Sequence, residues 1–74
     1  MKEEILAMLK DINPYVDINE QTNLLEEDIL DSMGLLLLIT ELEEKYNVEV
    51  PLDDLKLEDF ENLNSIIEFV KSLI

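Results

Sequence analysis

The chain reads as an all-α domain, a small four-helix bundle of three main helices and one short one, with a long loop between the first two. Three observations predict it. Apolar residues recur at helical spacing in three separate stretches. Hydrophobic residues, mostly Leu and Ile, make up 47% of the chain against 32% charged, enough to fold rather than stay disordered. The one alternating segment, Val48-Glu49-Val50, has no second strand to pair with and reads as an extended connection closed by Pro51. With 74 residues there is room for one modest core, so residues 1–74 are expected to form a single domain without a deep pocket. No internal repeat or low-complexity tract divides it.

The first helix is predicted from Lys2 to about Asn13, where Ile5, Leu6, Met8, Leu9 and Ile12 give it one core-facing side. Pro14 ends it by disfavouring helical geometry in the residue before it. Tyr15 to Asp31 is long for a connection in so small a domain, so its own apolar residues must pin it: Val16, Ile18, Leu24, Leu25, Ile29 and Leu30. The second helix should run from Ser32 or Met33 to about Tyr46, with Asn47 near its end and Pro51 beyond. On its projection Leu35, Leu38, Ile39, Leu42 and Tyr46 make the core stripe. Met33, Leu36 and Leu37 fall outside it, with Glu41 and Glu44 further down the same outer side. Downstream, Leu52, Leu55, Leu57 and Phe60 can each plug the bundle, and Leu57 to Glu61 can form one short helical turn. Asn62 is placed to cap a last helix carrying Leu63, Ile66, Ile67, Val70, Leu73 and Ile74 at helical spacing.

Charge and composition exclude several function classes. Nineteen Asp and Glu against five Lys and Arg give a formal net charge of -14, the wrong sign for nucleic acid or an anionic membrane surface and the right one for a basic partner. There is no cysteine, hence no disulfide and no thiolate metal site, which is compatible with a reducing cytoplasm. Met1-Lys2-Glu3-Glu4 turns acidic at once, unlike a signal peptide, and Leu35 to Ile39 is far too short to span a bilayer. A soluble, cytoplasmic and monomeric protein is the expectation.

The chain also lacks histidine, so no Ser-His pair can activate a nucleophile, and Ser32 has only Asp31 beside it. The chain is therefore not expected to be an enzyme. Asp17, Asn19, Gln21, Asn23 and Asp28 fall at the offsets of an EF-hand loop, but Thr22 stands where the turn needs glycine and Asp28 replaces the longer bidentate Glu. The reading is a polar loop with incidental spacing, and no metal site is expected.

That leaves Ile29-Leu30-Asp31-Ser32-Met33-Gly34, where a run without positive charge, Asp17 to Asp31, meets the most apolar segment of the chain. Ser32 at this junction has three readings: an N-cap, a phosphorylation site, or the attachment point of a phosphorylated group held at the positive end of the helix. Leu30-Asp31-Ser32-Met33 resembles the Asp-Ser-Leu/Met signature of acyl and peptidyl carrier proteins, whose serine bears a 4'-phosphopantetheine arm. The resemblance extends over nearly the whole chain: first helix, pinned loop, motif at the start of the second helix, the Glu41-Leu42-Glu43-Glu44-Lys45-Tyr46 end of that helix, Val50-Pro51, a short third helix and a fourth. Within the family, Asn23 to Gly34 looks most like the D-alanyl carrier proteins and related stand-alone carriers. Fatty-acid carriers usually have Gly-x-Asp-Ser-Leu-Asp, whereas the D-alanyl type usually has a glycine near Asp28 and an acidic residue near Leu37, both absent here.

The resemblance implies a four-helix carrier protein that is no catalyst itself, because the arm, derived from coenzyme A, supplies the thiol that the chain lacks. Ser32 would be the attachment residue and Asp31 the acidic residue recognised by a phosphopantetheinyl transferase. Met33, Leu36, Leu37, Glu41 and Glu44 match partner-contacting positions of the recognition helix. The other implied partners are an acyl- or aminoacyl-activating ligase and a downstream acyltransferase or synthase. The cargo stays open between D-alanine and fatty-acid or polyketide-type acyl groups. From another class, the rival is an acidic helical interaction module in which Ser32 only caps the helix and Met33, Leu36 and Leu37 bind a partner.

Overall fold

A computed structural model describes the backbone of residues 1–74 and every side chain except that of Asp54. Helix α1 spans Lys2–Ile12, α2 Ser32–Tyr46 and α3 Leu63–Leu73, with single 3-10 turns at Leu52–Asp54 and Leu57–Phe60. Among the described residues there is no strand, and Val48-Glu49-Val50 is irregular as expected. Helix α1 packs against both α2 and α3, and the second 3-10 turn packs on α3. Their buried faces meet in one core, in which Ile5, Leu9, Leu24, Leu38, Leu42, Phe60, Leu63, Ile66 and Val70 are fully enclosed.

Helix α1 carries Glu3 and Glu4 in its first turn and Lys10 in its last, both favourable to the helix dipole. It stops one residue before Pro14, where Asn13 leaves helical geometry at φ -138°. Asn47 ends α2 with a left-handed backbone, φ 53°, and the Glu43 carbonyl accepts from the N–H groups of both Asn47 and Val48. Asn62 caps α3 as the sequence predicts, its side-chain oxygen accepting from Ser65 N at 2.8 Å.

The long connection is pinned by the six residues named for it. Ile18, Leu24, Ile29 and Leu30 are buried, and Val16 and Leu25 are partly so. Its polar side chains serve the loop itself. Asn19 Oδ1 accepts from Gln21 N, and Asn23 Oδ1 from Leu25 N and Glu26 N, which are local turns competing with any cation for the same oxygens. Leu24 N bonds Glu61 O at 2.8 Å and Leu24 O accepts from Ile29 N and Leu30 N, tying the connection to the start of α3.

Three apolar residues depart from expectation. Leu52 and Leu57 stand first in their 3-10 turns and are 59% and 61% exposed, because a single turn points few residues inward and Leu55 and Phe60 occupy the inward space. Phe60 meets Phe69 edge-on at 5.2 Å between ring centroids. Ile74, past the end of α3, is also exposed.

Tyr46 closes the α2 stripe only half-buried, because its hydroxyl reaches Glu4 Oε1 at 3.4 Å and Met1 O at 3.5 Å. Lys45 Nζ lies 2.9 Å from Glu4 Oε2. The Lys45 ammonium holds the Glu4 carboxyl below the ordinary carboxylate range, while burial followed by the Glu4 charge pushes the Tyr46 phenol up.

Candidate functional site

Helix α2 begins with a division of labour between Asp31 and Ser32. Both residue types cap helices, but the cap is Asp31: its backbone is extended, at φ -93° and ψ -172°, and its Oδ1 accepts from Gly34 N at 2.7 Å. Leu35 N closes the first intrahelical bond onto Asp31 O at 2.8 Å. Ser32 is thus the first helical residue and not the cap, so its hydroxyl is not spent on the helix. The side chain is exposed, and among the described residues no group hydrogen-bonds it. Upstream, Ile29 and Leu30 are buried at 3% and 5% exposure, so the junction is anchored in the core on the side from which it arrives.

Gly34 is the part of this junction that the sequence motif alone does not explain. It is buried in the first turn of α2, where Ile12 of α1 and the Asp31 carboxylate come close to it. Its φ is not positive, so the turn does not require glycine for its backbone. Being the single glycine of the chain was a readable signal, although its purpose was not.

The outer face runs on from Ser32. Met33, Leu36 and Leu37 are 74%, 55% and 56% exposed and lie at the spacings that make helix neighbours. Opposite them Leu35, Leu38, Ile39 and Leu42 are buried, so the core and outer stripes of α2 are the ones the sequence predicts. Thr40, on the outer side, bonds its hydroxyl back to Leu36 O at 2.9 Å. Glu44 is exposed as expected, whereas Glu41 is half-buried on the flank, with its Oε2 out of water and without a partner among the described residues. The outward acidic patch is therefore narrower than the projection implied. Glu43, which no sequence pattern singles out, serves the fold, since its Oε2 accepts from Val50 N at 2.9 Å and holds the exit connection against α2.

Electrostatically the site is open to an anion at the helix start. The first turn of α2 contains no acidic residue. The Ser32 and Met33 N–H groups precede the first intrahelical bond, and the nearest carboxylate, Asp31, is already turned onto Gly34 N.

Residues 3–70 match the family described as phosphopantetheine attachment site. A D-alanyl carrier protein of Streptococcus suis is 37% identical, the match covering 100% of this chain and 95% of the relative. D-alanyl carrier protein 2 of Lactiplantibacillus plantarum is 35% identical over 99% of this chain and 92% of its own. A D-alanyl carrier protein of Leuconostoc citreum is 33% identical over 100% and 96%. The residues at the head of α2 fit such a group, since a phosphodiester on an exposed hydroxyl there meets free N–H groups and no carboxylate in the turn. The match over most of the chain, the full-length relatives and the open serine at a helix start agree: the chain belongs to the phosphopantetheine attachment-site family, a carrier whose prosthetic group is 4'-phosphopantetheine.

Proposed function

We propose that Ser32 bears the phosphopantetheine and that the carrier moves D-alanine, as a thioester, from an activating ligase to a downstream acyltransferase. The observation that carries the attachment is the state of the serines. The chain has three. Ser72 donates its hydroxyl to Phe69 O at 2.6 Å, Ser65 is half-buried in the first turn of α3, and Ser32 is exposed and, among the described residues, unbonded. Among the described residues Ser32 alone joins an exposed, unbonded hydroxyl to the first position of a helix, where a phosphate is favoured. The cargo rests on the relatives, which are named D-alanyl carrier proteins.

When bound, the group supplies a thiol that a chain without cysteine cannot offer. The polypeptide contributes presentation. Asp31 fixes the backbone around Ser32 through its bond to Gly34 N, and it leaves a carboxylate beside the hydroxyl for a phosphopantetheinyl transferase to recognise. Met33, Leu36 and Leu37 offer an apolar contact face next to the reacting hydroxyl, and Glu44 with the exposed edge of Glu41 adds negative charge for basic partners. The chain acts as a monomer in the cytoplasm and leaves the chemistry to its partner enzymes. Among the described residues no helix is long and apolar enough to cross a membrane.

The test is mass spectrometry after incubation with coenzyme A and a broad-specificity transferase. The parent chain should gain one phosphopantetheine and Ser32→Ala, folded equally well, none. A folded parent of unchanged mass would return Ser32 to being an ordinary helix residue and the domain to a plain interaction module. Holo protein trapped from its native cells and weighed intact should carry D-alanine, and a longer acyl group on the arm would reject that cargo.

A further inference from the structure

We infer that Gly34 is a positioning residue for the modification of Ser32, because its missing side chain leaves the space in which Asp31 can cap α2 while α1 packs on the same turn. The inference rests on Ser32 being the attachment residue. A Cβ at Gly34 would stand 3.2 Å from Asp31 Oδ1, 3.3 Å from Ile12 Cγ2 and 3.7 Å from Leu30 Cδ2. The first two are closer than carbon comfortably comes to either atom. Asp31 Oδ1 is the same atom that accepts from Gly34 N at 2.7 Å, so a methyl group there would press on the acceptor of the cap. It could not relieve that pressure by moving the other way, because Ile12, the last residue of α1, bounds the space.

Glycine is otherwise a poor choice at this position. Inside a helix it is less stable than alanine, and its backbone here is not one that only glycine adopts. What it gives is proximity: α1, the cap and the first turn of α2 meet at one point, against Asp31, the residue that precedes Ser32 in the chain. Displacing Asp31 by a few tenths of an ångström loosens its bond to Gly34 N and lets the first helical residue, Ser32, leave its place. Group transfer between large partners is steeply sensitive to such displacement.

The experiment compares Gly34→Ala with the parent in two measurements, the thermal midpoint and kcat/KM for phosphopantetheine transfer from coenzyme A, the latter well below either melting transition. The midpoint should change little, the better helix propensity of alanine offsetting the loosened cap and the crowded Ile12, while kcat/KM falls about five- to tenfold. Ile12→Ala in the Gly34→Ala background removes Cγ2 and should bring the rate back to within about twofold of Ile12→Ala alone, the non-additivity expected of groups sharing one space. A Gly34→Ala chain modified at the parent's rate would overturn the inference, and so would a rate that falls only in step with a lowered midpoint. A parent chain that takes no group at all, or a Ser32→Ala chain that does, overturns instead the assignment of Ser32.

Discussion

Asp28 holds a left-handed backbone, φ 55°, in the turn that leads into the Ser32 junction, and its carboxylate is exposed beside Glu26 and Glu27. Left-handed geometry costs a residue with a Cβ about 1–2 kcal/mol, less for Asp than for most. The family resemblance drawn from the sequence leads one to expect a glycine near this point, and the backbone here shows what such a glycine would relieve. Asp28→Gly should therefore stabilise the fold by roughly 0.5–1 kcal/mol, the strain removed exceeding the extra freedom glycine gives the unfolded chain. Urea denaturation checks it, with Asp28→Asn separating charge from geometry, because Asn keeps the Cβ. The family resemblance flagged this position in the sequence, but the left-handed backbone itself was not legible, since Asp says nothing of the sign of φ. The choice between Asp31 and Ser32 as cap was equally hidden: adjacent residues of equal capping ability differ only in where the chain enters the helix.

The connection between α1 and α2 shows what an element without regular structure needs in order to hold a site. Leu24 is fully buried, and its N–H and carbonyl make three backbone bonds, one of them to Glu61 across the fold. Asn23 adds a side-chain bond to Glu61 at 3.2 Å. Leu24→Ala should cost about 2–4 kcal/mol in denaturant unfolding, because the cavity opens where the connection and the α3 junction meet and neither can collapse freely. Hydrogen exchange at the Ile29 and Leu30 amides, which bond Leu24 O, should quicken in the same variant if the loosening reaches the Ser32 junction. The three helices, the anchoring residues of the connection and the two stripes of α2 were readable because periodicity assigns faces over several turns. The turn at Leu57–Phe60 was readable as a short helical turn, but the one at Leu52–Asp54 was not, and in neither was the facing of each residue. Leu52 and Leu57 look like core residues in composition, but one turn has no period to say which way each points. The partner of Leu24 is a carbonyl 37 positions away in the chain, a pairing that local pattern cannot supply.

Across the molecule the sum of charges dominates. At a net charge of -14 the surface repels itself, and the five cations are too few to cancel it. Among the described residues two of them pair, Lys45 with Glu4 and Lys2 with Glu20. Raising NaCl from low salt to physiological strength, where the Debye length is about 8 Å, should raise the thermal midpoint, since screening relieves more repulsion than it weakens attraction. The pH dependence of the Lys45–Glu4 pair follows from the lowered Glu4 pKa. A carboxyl whose folded pKa is depressed stabilises the fold above its unfolded value and ceases to as pH falls through the folded one. Lys45→Met should accordingly melt below the parent at neutral pH, and the gap should close once Glu4 is protonated. A gap constant down to pH 2, roughly two units under an ordinary carboxylate, would mean that packing of the Lys45 stem matters rather than its charge.

The exposed start of α2 also governs the timing of traffic. Under the proposed reading, with the arm on Ser32 and docking through Met33, Leu36 and Leu37, a cargo is tethered to a fixed post and finding the enzyme's active site becomes an intramolecular search. Effective concentrations for short flexible tethers are of order millimolar, reached without any strong grip between the proteins. Brief residence is then enough for delivery, and a carrier that lets go quickly is free for the next enzyme. The apolar face beside the serine, Met33, Leu36 and Leu37, suits that regime by orienting an encounter next to the arm.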